Sequence, residues 1–221
     1  MSNMGKKLKI GVLASGNGSN LQAIIDRSER GELDAEVACV ITNRADAFAL
    51  ARARNHVIPA IYLNHREFSG REAYDAATVE VLKAHGVDLV VLAGFMRIIT
   101  RVLLDAFPQA VMNIHPALLP AFPGLDAQKQ ALEHGTKLTG CTVHFVDEGT
   151  DTGPIIIQAA VPILADDTVE TLSRRIHVQE HRIYPQAIQL FAEGRLTMVG
   201  RRVLVTGPHA QEDSTLVNPD A

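Results

Sequence analysis

Asn113-Ile114-His115-Pro116 is the stretch of this chain whose residue types and spacing suit chemistry best. It closes a short apolar run, Ala110-Val111-Met112, that reads as the end of a buried strand. Strand side chains alternate, so Asn113 and His115 project to the same side. Pro116 has no N–H to give to a ladder, so pairing stops there and leaves both side chains at the rim of the sheet. An amide donor beside an imidazole suits acyl-type transfer: one stabilises an oxyanion, the other moves a proton. A histidine merely satisfied at a turn is the alternative for these four residues taken alone.

Two loops offer further chemistry. Ser15-Gly16-Asn17-Gly18-Ser19-Asn20 follows an apolar strand and opens a helical pattern through Leu21, Ile24 and Ile25. A glycine-rich turn at a helix start gathers backbone N–H groups where an anion can sit, and Ser19 and Asn20 add side-chain donors or a cap. It is no dinucleotide fingerprint, because Leu21 stands where the third glycine belongs and Thr42-Asn43-Arg44 where a ribose-binding carboxylate belongs. A single phosphate monoester fits better, and a plain tight turn with a capped helix is the competing reading. The second loop is Asp147-Glu148-Gly149-Thr150-Asp151-Thr152-Gly153-Pro154. If the fold brings Asp151 to His115, the carboxylate orients the ring and favours its protonated form. Otherwise these are solvated loop acids, and their spacing misses the EF-hand pattern.

Gly94-Phe95-Met96-Arg97-Ile98-Ile99 ends a further apolar strand. It reads either as an adaptable slot for a flat heterocycle or simply as core. His177-Val178-Gln179-Glu180-His181 matches the inverted zinc-peptidase motif H-x-x-E-H on a helix. A catalytic zinc needs a third protein ligand, and the residues beyond offer no helix with a well-placed acid, so no metal is expected. Leu172, Ile176, Ile183, Ala187 and Leu190 trace that helix's buried stripe, with Glu180 close to it. A carboxylate there is costly unless paired, for example with a substrate amine.

These residues need a frame, and the chain supplies an alternating one. Strands are expected over 8–14, 35–42, 60–63, 88–93 and 111–114, with helices at 48–54 and about 71–85; Tyr74, Ala77, Val81 and Leu82 mark the apolar face of the latter. Such alternation implies an α/β fold with a doubly wound, mainly parallel sheet and sites at the carboxyl ends of its strands. After Pro116 a proline-rich ordered loop runs over 118–124, followed by a helix at 126–134. Strands at 142–146 and 155–162 then read as antiparallel additions toward the C-terminus. The last long helix starts at Asp167 or Thr168, with Glu170 closing a capping box and Pro185 kinking it. No repeat, linker or second domain is seen: residues 8–204 read as one domain, and 1–7 and 205–221 as poorly ordered termini.

Composition excludes several classes. The chain has 221 residues, 47% hydrophobic and 21% charged, as expected of one globular domain with a sizeable core. A formal net charge of −4 argues against nucleic acid as a main partner. No run approaches the ~20 apolar residues of a membrane span, and the residues up to Lys7 lack a signal peptide's apolar core. Cys39 and Cys141 sit in apolar runs, which favours two buried free thiols in a reducing cytoplasm over a disulfide.

Together the motifs resemble the phosphoribosylglycinamide formyltransferases over about residues 8–200. The segments that carry the likeness are 15–24, Arg71-Glu72-Ala73-Tyr74-Asp75, 93–98, 113–116, Asp151-x-Gly153-Pro154 and Gln179-Glu180-His181-x-x-Tyr184-Pro185, in the family's order. The resemblance implies a Rossmann-like formyltransferase fold and transfer of the formyl group of 10-formyltetrahydrofolate, a co-substrate, to the amine of 5-phosphoribosylglycinamide in de novo purine biosynthesis, without a metal. It implies Asn113, His115 and Asp151 as catalytic residues. Gly18, Ser19 and Asn20 would hold the ribonucleotide phosphate, with His177, Val178, Gln179 and Glu180 completing that site. Arg71, Met96, Arg97, Ile98, Ile99, Asn113, Asp147, Glu148, Gly149, Thr150 and Asp151 would line the folate site. Partners would be small molecules only, with no nucleic acid and no membrane, and monomer and homodimer both stay open.

Gly124-Leu125-Asp126-Ala127-Gln128 departs from members that carry histidines there, so no catalytic role is assigned to it. Methionyl-tRNA formyltransferases resemble this domain but carry a further domain and a basic RNA surface. Formyltetrahydrofolate deformylase is the nearer alternative, although its usual N-terminal regulatory domain has no room before Leu8. A non-catalytic nucleotide-binding module is the alternative from another class.

Overall fold

The computed structural model describes residues 7–207. In chain order the elements are β1 (Leu8–Ala14), α1 (Ser19–Glu29), β2 (Ala35–Thr42), α2 (Phe48–Asn55), β3 (Ala60–Tyr62), α3 (Arg71–Ala84), β4 (Leu89–Leu92), α4 (Arg101–Ala106), β5 (Val111–His115), α5 (Ala127–His134), β6 (Leu138–Phe145), β7 (Ile155–Pro162), α6 (Val169–Ala192), β8 (Leu196–Val199) and β9 (Arg202–Val205). The strands make one nine-stranded sheet in the order β3-β2-β1-β4-β5-β6-β7-β9-β8. β1 to β5 are parallel. β6 and β7 are the expected antiparallel additions.

The chain builds outward from β1 to β3, then returns to the other side of β1 with β4. That reversal opens a crevice beyond the carboxyl ends of β1 and β4, the place where doubly wound sheets bind ligands. The central strands read as apolar runs rather than alternating patterns because neighbours cover both faces. Val12 and Leu13, Val40 and Ile41, and Val90 and Val91 are successive residues, all buried. Helix α6 packs against α1, and α3 against α4. The stripe Leu172, Ile176, Ile183, Ala187 and Leu190 is buried as expected, and Glu180, Tyr184 and Pro185 are buried with it. The Tyr184 hydroxyl lies 2.9 Å from the Leu92 carbonyl and 3.0 Å from that of Met112, tying β4 to β5 next to the crevice.

Several expectations need correction. The buried face of α3 is Tyr74, Asp75, Thr78, Val79 and Leu82, with Ala77 and Val81 only partly covered. Asp75 is buried because its carboxylate accepts from the backbone N–H of Thr100, at 2.6 Å, and from the Thr100 hydroxyl, at 2.8 Å. Helix α4 escaped the sequence reading: it has six residues, one of them buried, too few to show a period. The capping box of α6 is closed by Thr171, three residues after the N-cap Thr168, not by Glu170.

At the C-terminal end, β8 and β9 form a hairpin that joins β7 in parallel through the Ile155–Arg202 pair. Val205 ends β9, and Thr206 N–H donates to the Arg195 carbonyl at 2.9 Å, so 205–207 belong to the ordered structure. Four-residue strands give little periodicity, but Gly200 between Leu-Thr-Met-Val and Arg-Val-Leu-Val was a legible turn signal. The remaining residues assigned to the termini, 1–6 and 208–221, lie outside the described part.

Candidate active site

At the end of β5, Asn113 and His115 do project to one side, and the fold brings Asp151 to both. Asp151 Oδ2 stands 3.3 Å from His115 Nδ1, and its Oδ1 accepts from Asn113 Nδ2 at 3.3 Å. The Gly124 N–H donates to Asp151 Oδ2 at 2.8 Å, stapling the loop after β5 to the loop before β7. His115 is 4% exposed, and its other nitrogen, Nε2, donates to the Phe122 carbonyl at 2.7 Å. Both ring nitrogens therefore face acceptors, and an imidazolium donates to both. Phe122 and Asp151 hold left-handed backbone, with φ of 52° and 55°. Such strain in non-glycine residues persists where surrounding contacts enforce it, as they do here. Burial works to raise the Asp151 carboxyl, but the nearby His144, the bond from the Gly124 N–H and the charge of His115 outweigh it and hold it below the usual range.

His144 is a site residue that sequence reasoning missed. In the β5–β6 register it lies directly opposite Asn113. Its Nδ1 donates to the Phe145 carbonyl at 2.8 Å. Its Nε2 lies 3.2 Å from Asn113 Nδ2 and 3.7 Å from Asp151 Oδ1. Neutral, that nitrogen accepts from the amide; protonated, it donates to the carboxylate. A histidine in an apolar strand run was visible, but only the register shows what it faces.

The turn after β1 lies beside this centre. Gly18 is the N-cap of α1 in left-handed backbone (φ 74°), and neither Ser19 nor Asn20 serves as a side-chain cap. A Cβ at Gly18 would sit 2.9 Å from the Ala49 Cβ, so glycine is required both for the turn and for the close approach of α2. Asn20 donates from Nδ2 to Glu180 Oε2 at 2.8 Å, which joins the turn to α6. Burial pushes the Glu180 carboxyl up, against the Asn20 bond and the nearby charges of His177 and His115. Asn20 Oδ1 is buried without a partner among the described residues, so this corner holds polar groups in excess of the protein's own needs. His177 and Val178 are exposed and Gln179 half-buried. The rings of His177 and His181 lie parallel, 6.2 Å apart, and no cluster of three candidate metal ligands occurs among the described residues.

Ser15, also missed, locks the two crevice loops together. Its hydroxyl donates to Asn43 Oδ1 at 2.6 Å and accepts from the Met96 N–H at 2.9 Å. In the 94–99 segment Met96 and Ile98 are exposed, at 64% and 55%, while Ile99 is core. The segment is thus core at Ile99 and open to solvent at Met96 and Ile98. Arg97 lies over the Tyr74 ring, 5.0 Å from its centroid. Arg71 opens α3 and is exposed. Across the crevice, Asp147 Oδ1 accepts from the Thr152 hydroxyl at 2.6 Å and the Gly149 N–H at 3.1 Å, folding that loop on itself. Glu148, Gly149 and Thr150 are exposed at its tip, where Glu148 reaches Arg101 at 3.4 Å.

A family model for formyl transferases matches residues 8–188. The chain belongs to the formyl transferase family. Phosphoribosylglycinamide formyltransferase of Escherichia coli K12 is 46% identical over 191 residues, which cover 86% of this chain and 90% of that protein. Glycinamide ribonucleotide transformylase 1 from Symbiobacterium toebii superposes with a TM-score of 0.91 at 58% identity, over 92% of this chain and 96% of that one. The trifunctional purine biosynthetic protein adenosine-3 of Drosophila melanogaster is 49% identical over 191 residues, and the formyl transferase chain spans only 14% of that protein's length. The matched region of this formyl transferase contains Asn113, His115, His144 and Asp151 together with the Gly18 turn and Glu180. No helix among the described residues is long and apolar enough to cross a membrane.

Proposed function

We propose that this chain transfers the formyl group of 10-formyltetrahydrofolate to the amine of 5-phosphoribosylglycinamide, giving the N-formyl ribonucleotide and tetrahydrofolate in de novo purine synthesis. The observation that carries the reading is the convergence of Asn113, His115 and Asp151 at the end of β5, in a chain that aligns with nearly the whole length of the Escherichia coli enzyme. The Gly18, Ser19 and Asn20 turn takes the ribonucleotide phosphate on its uncapped N–H groups. The 177–180 segment completes that site, with Glu180 toward the glycinamide amine. The folate lies along Arg71, Met96 to Ile99 and Asp147 to Asp151, where exposed Met96 and Ile98 offer apolar contact.

The amine attacks the formyl carbon, and negative charge develops on the formyl oxygen beside Asn113 Nδ2 and His115. The amide's contacts to Asp151 and His144 are long, at 3.3 and 3.2 Å, so one of them yields to the arriving oxygen. Collapse of the tetrahedral adduct breaks the bond from carbon to the folate nitrogen. That nitrogen gains a proton and the attacking nitrogen loses one, both by way of His115 poised against Asp151. A cytoplasmic setting suits the unpaired Cys39 and Cys141, whose thiols burial pushes up to about 11 and about 12. In this reading the partners are the two small molecules alone.

A spectrophotometric assay of folate product, run with and without the ribonucleotide, tests the proposal. Product that depends on the ribonucleotide is expected. Product without it, accompanied by formate, would replace the reading with a deformylase. Binding without turnover would leave a nucleotide-binding module.

A further inference from the structure

Helix α2 is built against the back of the Gly18 turn. The Ala49 N–H donates to the Gly16 carbonyl at 3.2 Å, and the absent Cβ of Gly18 leaves room for the Ala49 side chain. One turn further along, Arg52 reaches the same loop with a forked grip. Its Nε donates to the Asn17 carbonyl at 2.9 Å and its Nη2 to Asn17 Oδ1 at 3.0 Å. Its Nη1 donates to Gln22 Oε1 at 3.0 Å on the first turn of α1. The guanidinium plane rests over the Phe48 ring, 4.8 Å from its centroid, which fixes the fork's direction. Gln22 is held in turn: its amide nitrogen lies 2.7 Å from Asp26 Oδ1 and 3.0 Å from His56 Nε2, while His56 Nδ1 lies 2.6 Å from Glu29 Oε1. Arg52 is therefore held at its fork by Asn17 and Gln22 and on one face by Phe48, and what it grips is the residue before the left-handed Gly18.

We propose that Arg52 is a positioning residue for the phosphate-bearing substrate. It clamps Asn17 so that the Gly18 turn keeps its N–H groups aimed at the anion, and it sets a fixed positive charge behind them. The inference rests on the proposed function, since it needs that turn to be the phosphate site. A lysine keeps the charge but cannot span the carbonyl and the side-chain oxygen of Asn17 at once.

The test compares native enzyme with Arg52→Met and Arg52→Lys, using the ribonucleotide and the glycinamide riboside that lacks the phosphate. Losing two bonds that shape the turn raises KM for the ribonucleotide by roughly 10–100-fold in Arg52→Met, and by less in Arg52→Lys. At saturation kcat stays within about threefold, and so does KM for the formyl donor. With the phosphate-free riboside, native and variant enzymes have the same kcat/KM. Equal losses on both substrates would show a general structural role and overturn the proposal, as would an unchanged ribonucleotide KM. The two failures are distinguishable: no native turnover with the ribonucleotide removes the proposed function, whereas native turnover with unchanged variants removes Arg52 alone.

Discussion

Replacing Asp151 by asparagine isolates the carboxylate's charge from its shape. Asparagine tolerates the left-handed backbone at φ 55° as well as aspartate does, and its oxygen still accepts the Gly124 N–H now at 2.8 Å. What is lost is the charge opposite His115 Nδ1 and Asn113 Nδ2, each at 3.3 Å. Hydrogen bonds to charged groups contribute about 1.5–3 kcal/mol, and contacts this long belong at the low end. Two of them give roughly 3 kcal/mol of transition-state stabilisation, a fall in kcat of about 100–200-fold. With the asparagine oxygen kept on the Gly124 N–H, its NH2 takes the Oδ1 place and meets the Asn113 amide donor against donor, which works in the same direction. Steady-state kinetics with both substrates, alongside thermal unfolding, measures this. A kcat within about threefold of native in a normally folded variant would refute the reasoning and remove Asp151 from the mechanism.

Three further outcomes follow from packing and charge. Tyr184→Phe strips the carbonyls of Leu92 and Met112 of their buried hydroxyl and costs about 1–2 kcal/mol in urea unfolding; no change would mean those carbonyls find other donors. Val57 is a β-branched residue at φ 58°, 92% exposed, just past the end of α2. Val57→Gly is therefore expected to stabilise by about 1 kcal/mol, and a loss of stability would show that its side chain makes an essential contact. Asp167 accepts both arms of Arg175, at 2.6 and 3.0 Å, along with the Thr171 hydroxyl and the Leu164 N–H. The Arg175 guanidinium leads in holding its carboxyl well below the unfolded value of about 3.9. Its contribution is thus complete above that value and is lost as pH falls through the lower folded value. Asp167→Asn should lower stability at neutral pH by about 1–2 kcal/mol, surface screening included, with the gap closing only in strong acid. A gap independent of pH would contradict this.

What could be read from the sequence follows from how local each signal is. Apart from α4, the run of strands and helices to residue 116 was legible because buried parallel strands and amphipathic helices are written in consecutive residues. Asn113 and His115 were legible because strand alternation and Pro116 fix where they point. Asp151 could be offered as the partner of His115 only on condition that the fold brings them together, since that pairing is made by the sheet and not by the spacing. His144 and Ser15 were missed for the same reason. Each acts through a partner set by register or by loop closure: His144 through Asn113 across the ladder, and Ser15 through Asn43 and the Met96 amide. Helix α4 and the β8–β9 hairpin were missed because they are shorter than a readable period. The α3 face was misread because Asp75 and Thr78, polar residues satisfied by hydrogen bonds, occupy positions that an apolar count rejects.

The central claim is direct transfer of one carbon at Asn113, His115 and Asp151. An isotope-labelled formyl group on the folate donor tests it most directly, with the label followed by NMR in the presence of the ribonucleotide. The account predicts that the label appears in the N-formyl ribonucleotide at the rate folate product forms, with none in free formate. Label released as formate at that rate, with the ribonucleotide unchanged, would contradict it.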